Sequence, residues 1–545
     1  MTWHSEGRIR DGKLRHPADS PQWKKFDDDH EEFATETRNI RFALATDGMN
    51  PHGMQSSTYN LKLLWDNGIE VYDGFRDENF IVKAMLYGTI NDFLAYGNLS
   101  GYSIKGWKKM SIFFQLSYWE SLYVRYFVDV MHVEKNVCES VIGTLLDIVG
   151  KKKDGINARL DLVKLGIRFD LALVKKGKQT FLPPTACTLS RNEKRALCET
   201  LYSVKVLEGY SSNIKSLVSL KDLKLKGLKS HDCHILIENL IPVAIRSILP
   251  KKVRMAITKL CFFFKAIYSK VIDSGRLTSF QNQIAETLCE LEMYFLPSFF
   301  DIIVHLTIHL VEETKLCGPA YMRWMYPVER YMKILKGYVK NRSRPEGCIT
   351  EQYLVEEAVK FCSEYLSNVE SCGIPKSCHH GRTLGEGSSG CQQIEVPRLQ
   401  WEQAHLYVLQ NTPEIEPYIS LHKDTLKRRN PTRSENWITK EHNVQFIGWE
   451  LDYTNFRVAI FGCKWVDNNS GVRIDDMVFI RVDFKKVSYQ DDSFILASQA
   501  RQVFYIIDPV DKSWSIVLTS NKINAFTDGE LTEEVNVEDD PLRST

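Results

Sequence analysis

The feature that most constrains this chain is a short apolar run that stops on an aspartate. In Arg41 to Gly53, RFALATDGMNPHG, residues Phe42, Ala43, Leu44 and Ala45 suit one buried strand, and Asp47 is followed by Gly48, Asn50 and Pro51, which force a turn. A carboxylate is thereby placed at a strand's end. Such a position suits Mg²⁺ or Mn²⁺, because hard divalent ions bind oxygen ligands fixed in space by a rigid support. An Asp-Gly turn accounts for the same residues without any metal. The arrangement recurs, however: Phe80 to Ile90, FIVKAMLYGTI, is apolar nearly throughout and ends at Asn91-Asp92. Two strand ends of this kind can share an ion.

A length of 545 residues implies three or four domains of ordinary size. Lys and Arg total 70 against 69 Asp and Glu, a net charge of +1, so any affinity for nucleic acid must come from local basic faces. The 13 cysteines are scattered without a dense framework, which fits a reducing compartment, cytosol or nucleus, better than a disulfide-stapled secreted protein. The N-terminus, MTWHSEGRIRDGKLRHPADS, has no apolar core of the kind a secretion signal needs, and no apolar run reaches the roughly 18 residues of a membrane span. The expectation is a soluble intracellular protein.

Along the chain, His16 to Pro21 reads as a turn before a helix over Gln22 to Phe33, and the segment from Trp119 to 149 reads as helical. Within it Asp129 and His132 form a D-x-x-H cluster, with i and i+3 on one helix face. Residues 151–230 are Lys-rich and broken by Pro183-Pro184. Ile235 to Ile241, Val253 to Ile272, Phe280 to Phe295 and Phe299 to Glu313 then carry apolar residues at helical spacing between Pro242, Pro250, Gly275 and Pro297, which predicts a bundle of four or more helices. His305 and His309 stand at metal-compatible i, i+4 spacing, but their apolar neighbours favour a core or interface role. Pro319 to Pro345 follows, with Pro327 suited to a first helical turn, Glu329 close behind, and Lys333, Lys336 and Lys340 in one stripe. With Arg330, Arg342, Arg344 and interleaved Tyr326, Tyr331 and Tyr338, this stripe is a candidate DNA-binding face, and a solvated helix face is the alternative.

Residues 368–399 read as a Gly/Ser-rich linker, in which Cys372, Cys378, His379 and Cys391 match no standard zinc spacing. Residues 400–443 are helical and basic, with Lys423, Lys427, Arg428, Arg429 and Arg433. From 444 to 525, β-branched and aromatic segments between Asp-rich turns predict a small all-β, barrel-like module, where Trp465, Tyr489 and Phe504 serve as core or as stacking groups. Residues 526–545 form an acidic tail.

Read together, LRHPADSPQWKKFD, RNIRFALATDGMNPHG, TINDFLAYGNLSGYSIKG, VDVMHVEKNVCESVIGTLLD and MRWMYPVERYMKILKGYVKNRSRPEGCITEQYLVEE closely resemble the plant CACTA (En/Spm-type) DNA transposases. QAHLYVLQNTPEIEPYISLHK and ELDYTNFRVAIFGCKWVDNNSGVRIDD resemble the two uncharacterised C-terminal domains that accompany them. The resemblance implies an α+β multidomain chain: a shortened ribonuclease-H-like core over 1–150, a connecting region over 151–230, a helical transposase-associated domain over 231–367, and the modules already described. It implies a metal triad on Asp47, Asp92 and Glu329, with Asp129 and His132 as signature residues; nothing in the residues themselves selects Glu329 over Glu312 or Glu313. The implied chemistry is Mg²⁺- or Mn²⁺-dependent phosphoryl transfer at transposon ends, in the nucleus, on terminal-repeat DNA, with a second copy or an accessory transposon protein as further partner.

The sequence also departs from the family. Only 13 residues separate Asp47 from Leu61, where the family has two further core strands, and two strands with their turns do not fit. Gly106-Trp107-Lys108 runs almost directly into SIFFQLSYW, where the family carries a longer segment with a Cys-x-x-Cys pair that is lacking here. A third contraction falls at Gln445 to Asp452. A sheet without interior strands loses the frame that holds Asp47 against Asp92, so the expected state is a transposase-derived protein that no longer cleaves DNA.

Overall fold

A computed structural model describes residues 2–46, 57–91, 112–177, 179–204, 213–341, 343–365, 395–411, 415–446, 460–488, 494–496, 499–500 and 503–519. These fall into two compact units, one carrying the N-terminal sheet and the helices through residue 365, the other carrying residues 395–519.

The first unit is organised on a three-stranded, all-parallel sheet. Strand β1 (Ile40–Thr46) pairs with β4 (Ala84–Asn91), and β4 pairs with β5 (Tyr126–Val128). Strand β4 is central, and all eight of its residues are buried, as a parallel strand covered on both faces requires. The run read as one strand over Phe80 to Ile90 is divided at Lys83. Its first part is β3 (Glu78–Val82), which forms an antiparallel hairpin with β2 (Ile69–Asp73) outside the parallel sheet. Arg38 braces that hairpin, pairing with Glu36, Asp73 and Glu78 and lying 3.6 Å from the centre of the Phe80 ring.

Between β1 and β4 the register shifts by one residue, so that Phe42 opposes Leu86 and Ala43 opposes Gly88. Tyr87 is the extra residue, and its hydroxyl reaches the Ser20 hydroxyl at 2.9 Å. Ser20 caps helix α1 (Pro21–Asp29), which buries Gln22, Trp23 and Phe26. The Gln22 amide donates to the carbonyls of Tyr87 and Val124 and accepts from the Val124 N–H, so one buried side chain joins helix, central strand and the lead-in to β5. The segment 119–128 is not continuously helical: a short 3-10 turn at Trp119–Ser121 gives way to β5. Three residues are too few to show strand alternation. Helix α2 (Ser57–Asp66) packs against β4.

The predicted bundle is present. Helices α3 (Val130–Leu145), α4 (Ser230–Ile235), α5 (Lys251–Ile267), α6 (Leu277–Glu292) and α7 (Ile302–Cys317) pack in succession, and α3 contacts both α4 and α7. The bundle and the sheet therefore share one core. His305 and His309 are not core residues: both lie exposed on α7, their Nε2 atoms 3.1 Å apart. Helices α8 (Tyr326–Tyr338) and α9 (Pro345–Tyr365) complete the unit and pack against each other.

In the second unit, helices α10 (Arg398–Gln410), α11 (Glu416–Arg429) and α12 (Glu435–Gln445) precede an open antiparallel sheet. Its strands β6 (Val472–Ile474), β7 (Ile480–Val482), β8 (Val503–Ile507) and β9 (Ser515–Thr519) lie in the order β6-β7-β9-β8. Further short strands pair two by two, and the described strands close no barrel. Between α11 and α12, the Nδ1 atoms of buried His422 and His442 lie 2.8 Å apart, a contact in which one ring donates and the other, unprotonated at Nδ1, accepts.

Two outcomes follow. A Cβ at Gly88 would stand 2.5 Å from the Phe127 ring, so Gly88→Ala should cost about 1–3 kcal/mol in urea denaturation; an unchanged midpoint would contradict the packing described. Burial, reinforced by the charges of His422 and Lys423, holds His442 down at about 4 from an ordinary 6.5. A base depressed in the folded state binds more protons when unfolded, so this pair's contribution is complete above about 6.5 and is lost as pH falls toward about 4. Hydrogen exchange in 416–445 should accelerate across that window, and His442→Gln should flatten the dependence.

Candidate active site at the carboxyl edge of the sheet

The three parallel strands finish together. Thr46 is in register with Asn91, and Asn91 with Val128, and the next residues in sequence are Asp47, Asp92 and Asp129. Asp47 and Asp92 lie outside the described residues. Asp129 is described, and it is buried at the junction of β5 and α3.

The D-x-x-H spacing has a physical origin other than a shared helix face. Asp129 is the N-cap of α3, and its Oδ1 accepts the backbone N–H of His132 at 3.1 Å. Cap and i+3 amide are the ordinary partners at a helix start. Burial pushes the Asp129 carboxyl up to about 6, the His132 amide and ring oppose the rise, and the negative charge of Glu329 adds to it. Glu329 is therefore close enough to Asp129 to act on it electrostatically, although it lies on a separate helix 200 residues away in sequence.

The geometry separates the three acids that sequence leaves equivalent. Glu313 is buried in α7, ion-paired with Arg323, and its Oε2 accepts the Val128 N–H at 3.1 Å. Burial pushes its carboxyl up, and Arg323 and that amide pull it down, so its capacity is already committed to structure. Glu312 pairs with Lys315 at 3.7 Å on the helix surface. Glu329 stands exposed in the first turn of α8 and, among the described residues, forms no ion pair. Of the three, it alone is free to meet a ligand beside Asp129.

The basic stripe on α8 and beyond is also placed. Arg330, Lys333, Lys336, Lys340 and Arg344 are exposed and, among the described residues, form no ion pairs; Arg342 lies outside them. Tyr326 is not part of that face. It is buried, and its hydroxyl donates to the Ser230 carbonyl at 3.0 Å. Tyr338 binds Glu356 of α9, which leaves Tyr331 as the stripe's exposed ring. In the second unit Trp465 and Phe504 are half-buried, while Tyr489 and the linker residues Cys372, Cys378, His379 and Cys391 lie outside the described residues.

With this geometry established, comparison with known families is informative. Residues 11–61 and 59–116 match the transposase family tnp2. The chain is transposase-like. Residues 267–376 and 449–517 match two domains of unknown function, DUF4218 and DUF4216. No curated protein and no solved structure matches. The transposase match comes in two stretches that meet at residues 59–61, within the contraction inferred between Asp47 and Trp65. Among the described residues no helix is long and apolar enough to cross a membrane.

Asp129→Asn keeps a capping acceptor and removes a buried charge beside Glu329, so its urea midpoint at pH 7 should equal or exceed that of the parent chain. Asp129→Ala should lose about 1 kcal/mol with the cap. Equal damage from both substitutions would contradict the roles assigned to Asp129.

Proposed function

We propose that the chain derives from a CACTA-type (En/Spm) transposase with a ribonuclease-H-like core, retaining DNA binding and having lost strand cleavage. The observation that carries the ancestry is the in-register ending of three parallel strands, each followed in sequence by an aspartate, the third of which feels the negative charge of Glu329. Asp47, Asp92 and Glu329 are the proposed catalytic and metal-binding carboxylates. Asp129 contributes to the same edge.

The donor set fits a hard cation. It consists of three carboxylates, of which Glu329 lies in the described part, where its negative charge adds to the rise of the neighbouring Asp129 carboxyl. Mg²⁺ or Mn²⁺ bound there supplies charge neutralisation at a phosphate and activation of an attacking water or 3′-hydroxyl. The chain's own contribution is placement. The Glu313–Arg323 pair holds the end of β5, the α3 cap orients Asp129, and the exposed Arg330, Lys333, Lys336, Lys340 and Arg344, with Arg342 beside them in sequence, neutralise backbone phosphates of terminal-repeat DNA in the nucleus.

Loss of cleavage is supported by the sheet itself. Among the described residues β1 pairs only with β4, and the other edge of β1, where further strands of such a core would add, has no partner. A carboxylate frame without those strands is too loose for phosphoryl transfer, which tolerates placement errors of only about 0.5 Å.

A labelled terminal-repeat duplex with Mg²⁺ or Mn²⁺ tests this reading. The full chain should bind in a salt-dependent manner, Lys333→Glu with Lys336→Glu should weaken binding and lower the salt slope by about 2, and no strand cleavage should occur. Cleavage abolished by Asp47→Ala would overturn the inactive state. Genomic sequence encoding the missing strands beside codons 58–61 would assign their absence to exon joining.

A further inference from the structure

The most completely buried ionisable cluster in the described part of the chain lies away from the sheet edge and has no part in the chemistry above. Glu134 on α3, His234 on α4 and Glu238 in the turn that follows each offer a ligand atom, all within 4.8 Å of one another. The His234 Nδ1 lies 2.9 and 3.1 Å from the two Glu134 oxygens, and its Nε2 lies 3.4 Å from Glu238 Oε2. Residue exposures are 1% for Glu134, 1% for His234 and 3% for Glu238.

Three observations point to a missing ligand. The first is that Glu238 Oε1 is buried and has no hydrogen-bond partner, an expensive condition for a carboxylate oxygen. The phenols that could serve it are committed elsewhere: Tyr268 donates to the Val130 carbonyl and Tyr326 to that of Ser230. The second is the backbone. Residues Leu236–Leu240 form a π-helical turn between α4 and a last helical turn at Ile241–Ala244. Pro242 lacks an N–H, and its ring opposes the carbonyl four residues earlier, that of Glu238, so the helix widens where Glu238 enters the cluster.

The third is charge. Two carboxylates face one imidazole, with Lys265 as the only further cation acting on Glu238. A divalent ion with a neutral imidazole balances two ionised carboxylates, and it satisfies the orphaned oxygen. Cys138, Cys233 and Cys261 are free thiols buried next to the cluster, and Cys138 and Cys233 share a thiol hydrogen bond.

We propose that Glu134, His234 and Glu238 form a structural site for a divalent ion of the Zn²⁺ class, which clamps α3 to the α4–π-turn segment. One imidazole nitrogen with two carboxylate oxygens suits a borderline ion over Mg²⁺ or Ca²⁺, which prefer all-oxygen shells. The second ring nitrogen keeps its proton for a carboxylate, the usual arrangement that orients a ligating histidine.

The test uses the full-length chain, reduced, loaded with Zn²⁺ and dialysed to constant metal content. The parent chain should retain about one more equivalent than Glu238→Gln or Glu134→Gln, with the circular dichroism of the Gln variants confirming the fold. Two variants are needed because either one may unfold. Co²⁺ in place of Zn²⁺ provides a readout on the parent chain alone: a visible d–d spectrum without a thiolate charge-transfer band is expected. Equal metal content in the parent and a folded Gln variant, no retained metal in the parent, or a thiolate-type Co²⁺ spectrum lost in a Cys138→Ser chain would each overturn the assignment.

Discussion

The carboxyl edge of the sheet depends on one buried carboxylate. Glu313 projects from α7, meets Arg323, and accepts the N–H of Val128, the last residue of β5. That strand is three residues long and has only β4 beside it, so its ladder alone would hold it weakly. A hydrogen bond to a charged group is typically worth about 1.5–3 kcal/mol, so this contact ties down the backbone that immediately precedes Asp129. Arg323 also lies 5.3 Å from the centre of the Phe127 ring, and Phe127 fills the space left by Gly88. Helix, strand end and central strand are thereby locked as one piece.

From that anchor the rest of the edge follows. Asp129 starts α3, its capping bond sets the helix direction, and α3 carries Glu134 inward to α4. The segment after Arg323 turns through Trp324 and Met325 into α8, whose first turn carries Glu329. Because α7, its ion pair and α8 are consecutive, the charge of Glu329 reaches an acid 200 residues away in sequence. The same path explains the elevated Asp129 carboxyl, which is buried for structural reasons and then faces a second negative charge.

Much of this was legible in the residues. The apolar runs ending at Asp47 and Asp92 correspond to the two longest strands of the parallel sheet; β4 is buried throughout, as an unbroken apolar stretch implies, whereas β1 is an edge strand whose residues 40–45 are exposed or half-buried. Helical periodicity between prolines gave the bundle to within a few residues. Other features were not legible, for reasons of length or distance. Strand β5 is too short to show a period, Lys83 divides a run that looked continuous, and the helical spacing of His305 and His309 does not tell which side of α7 faces solvent. The D-x-x-H spacing suggests two side chains on one helix face, whereas the contact observed runs from the Asp129 carboxylate to the His132 backbone at a helix start. The roles of Glu313 and of the Glu134–His234–Glu238 cluster depend on partners as much as 185 residues apart, which no local pattern reveals.

The central claim is that the charge of Glu329 acts on Asp129 at the end of the parallel sheet, and titration of the Asp129 carboxyl by carbon-detected NMR tests it most directly. In the parent chain Asp129 should titrate near 6. In Glu329→Gln it should titrate lower, while staying above an ordinary aspartate because burial persists. A titration unchanged by that substitution would contradict the placement of Glu329.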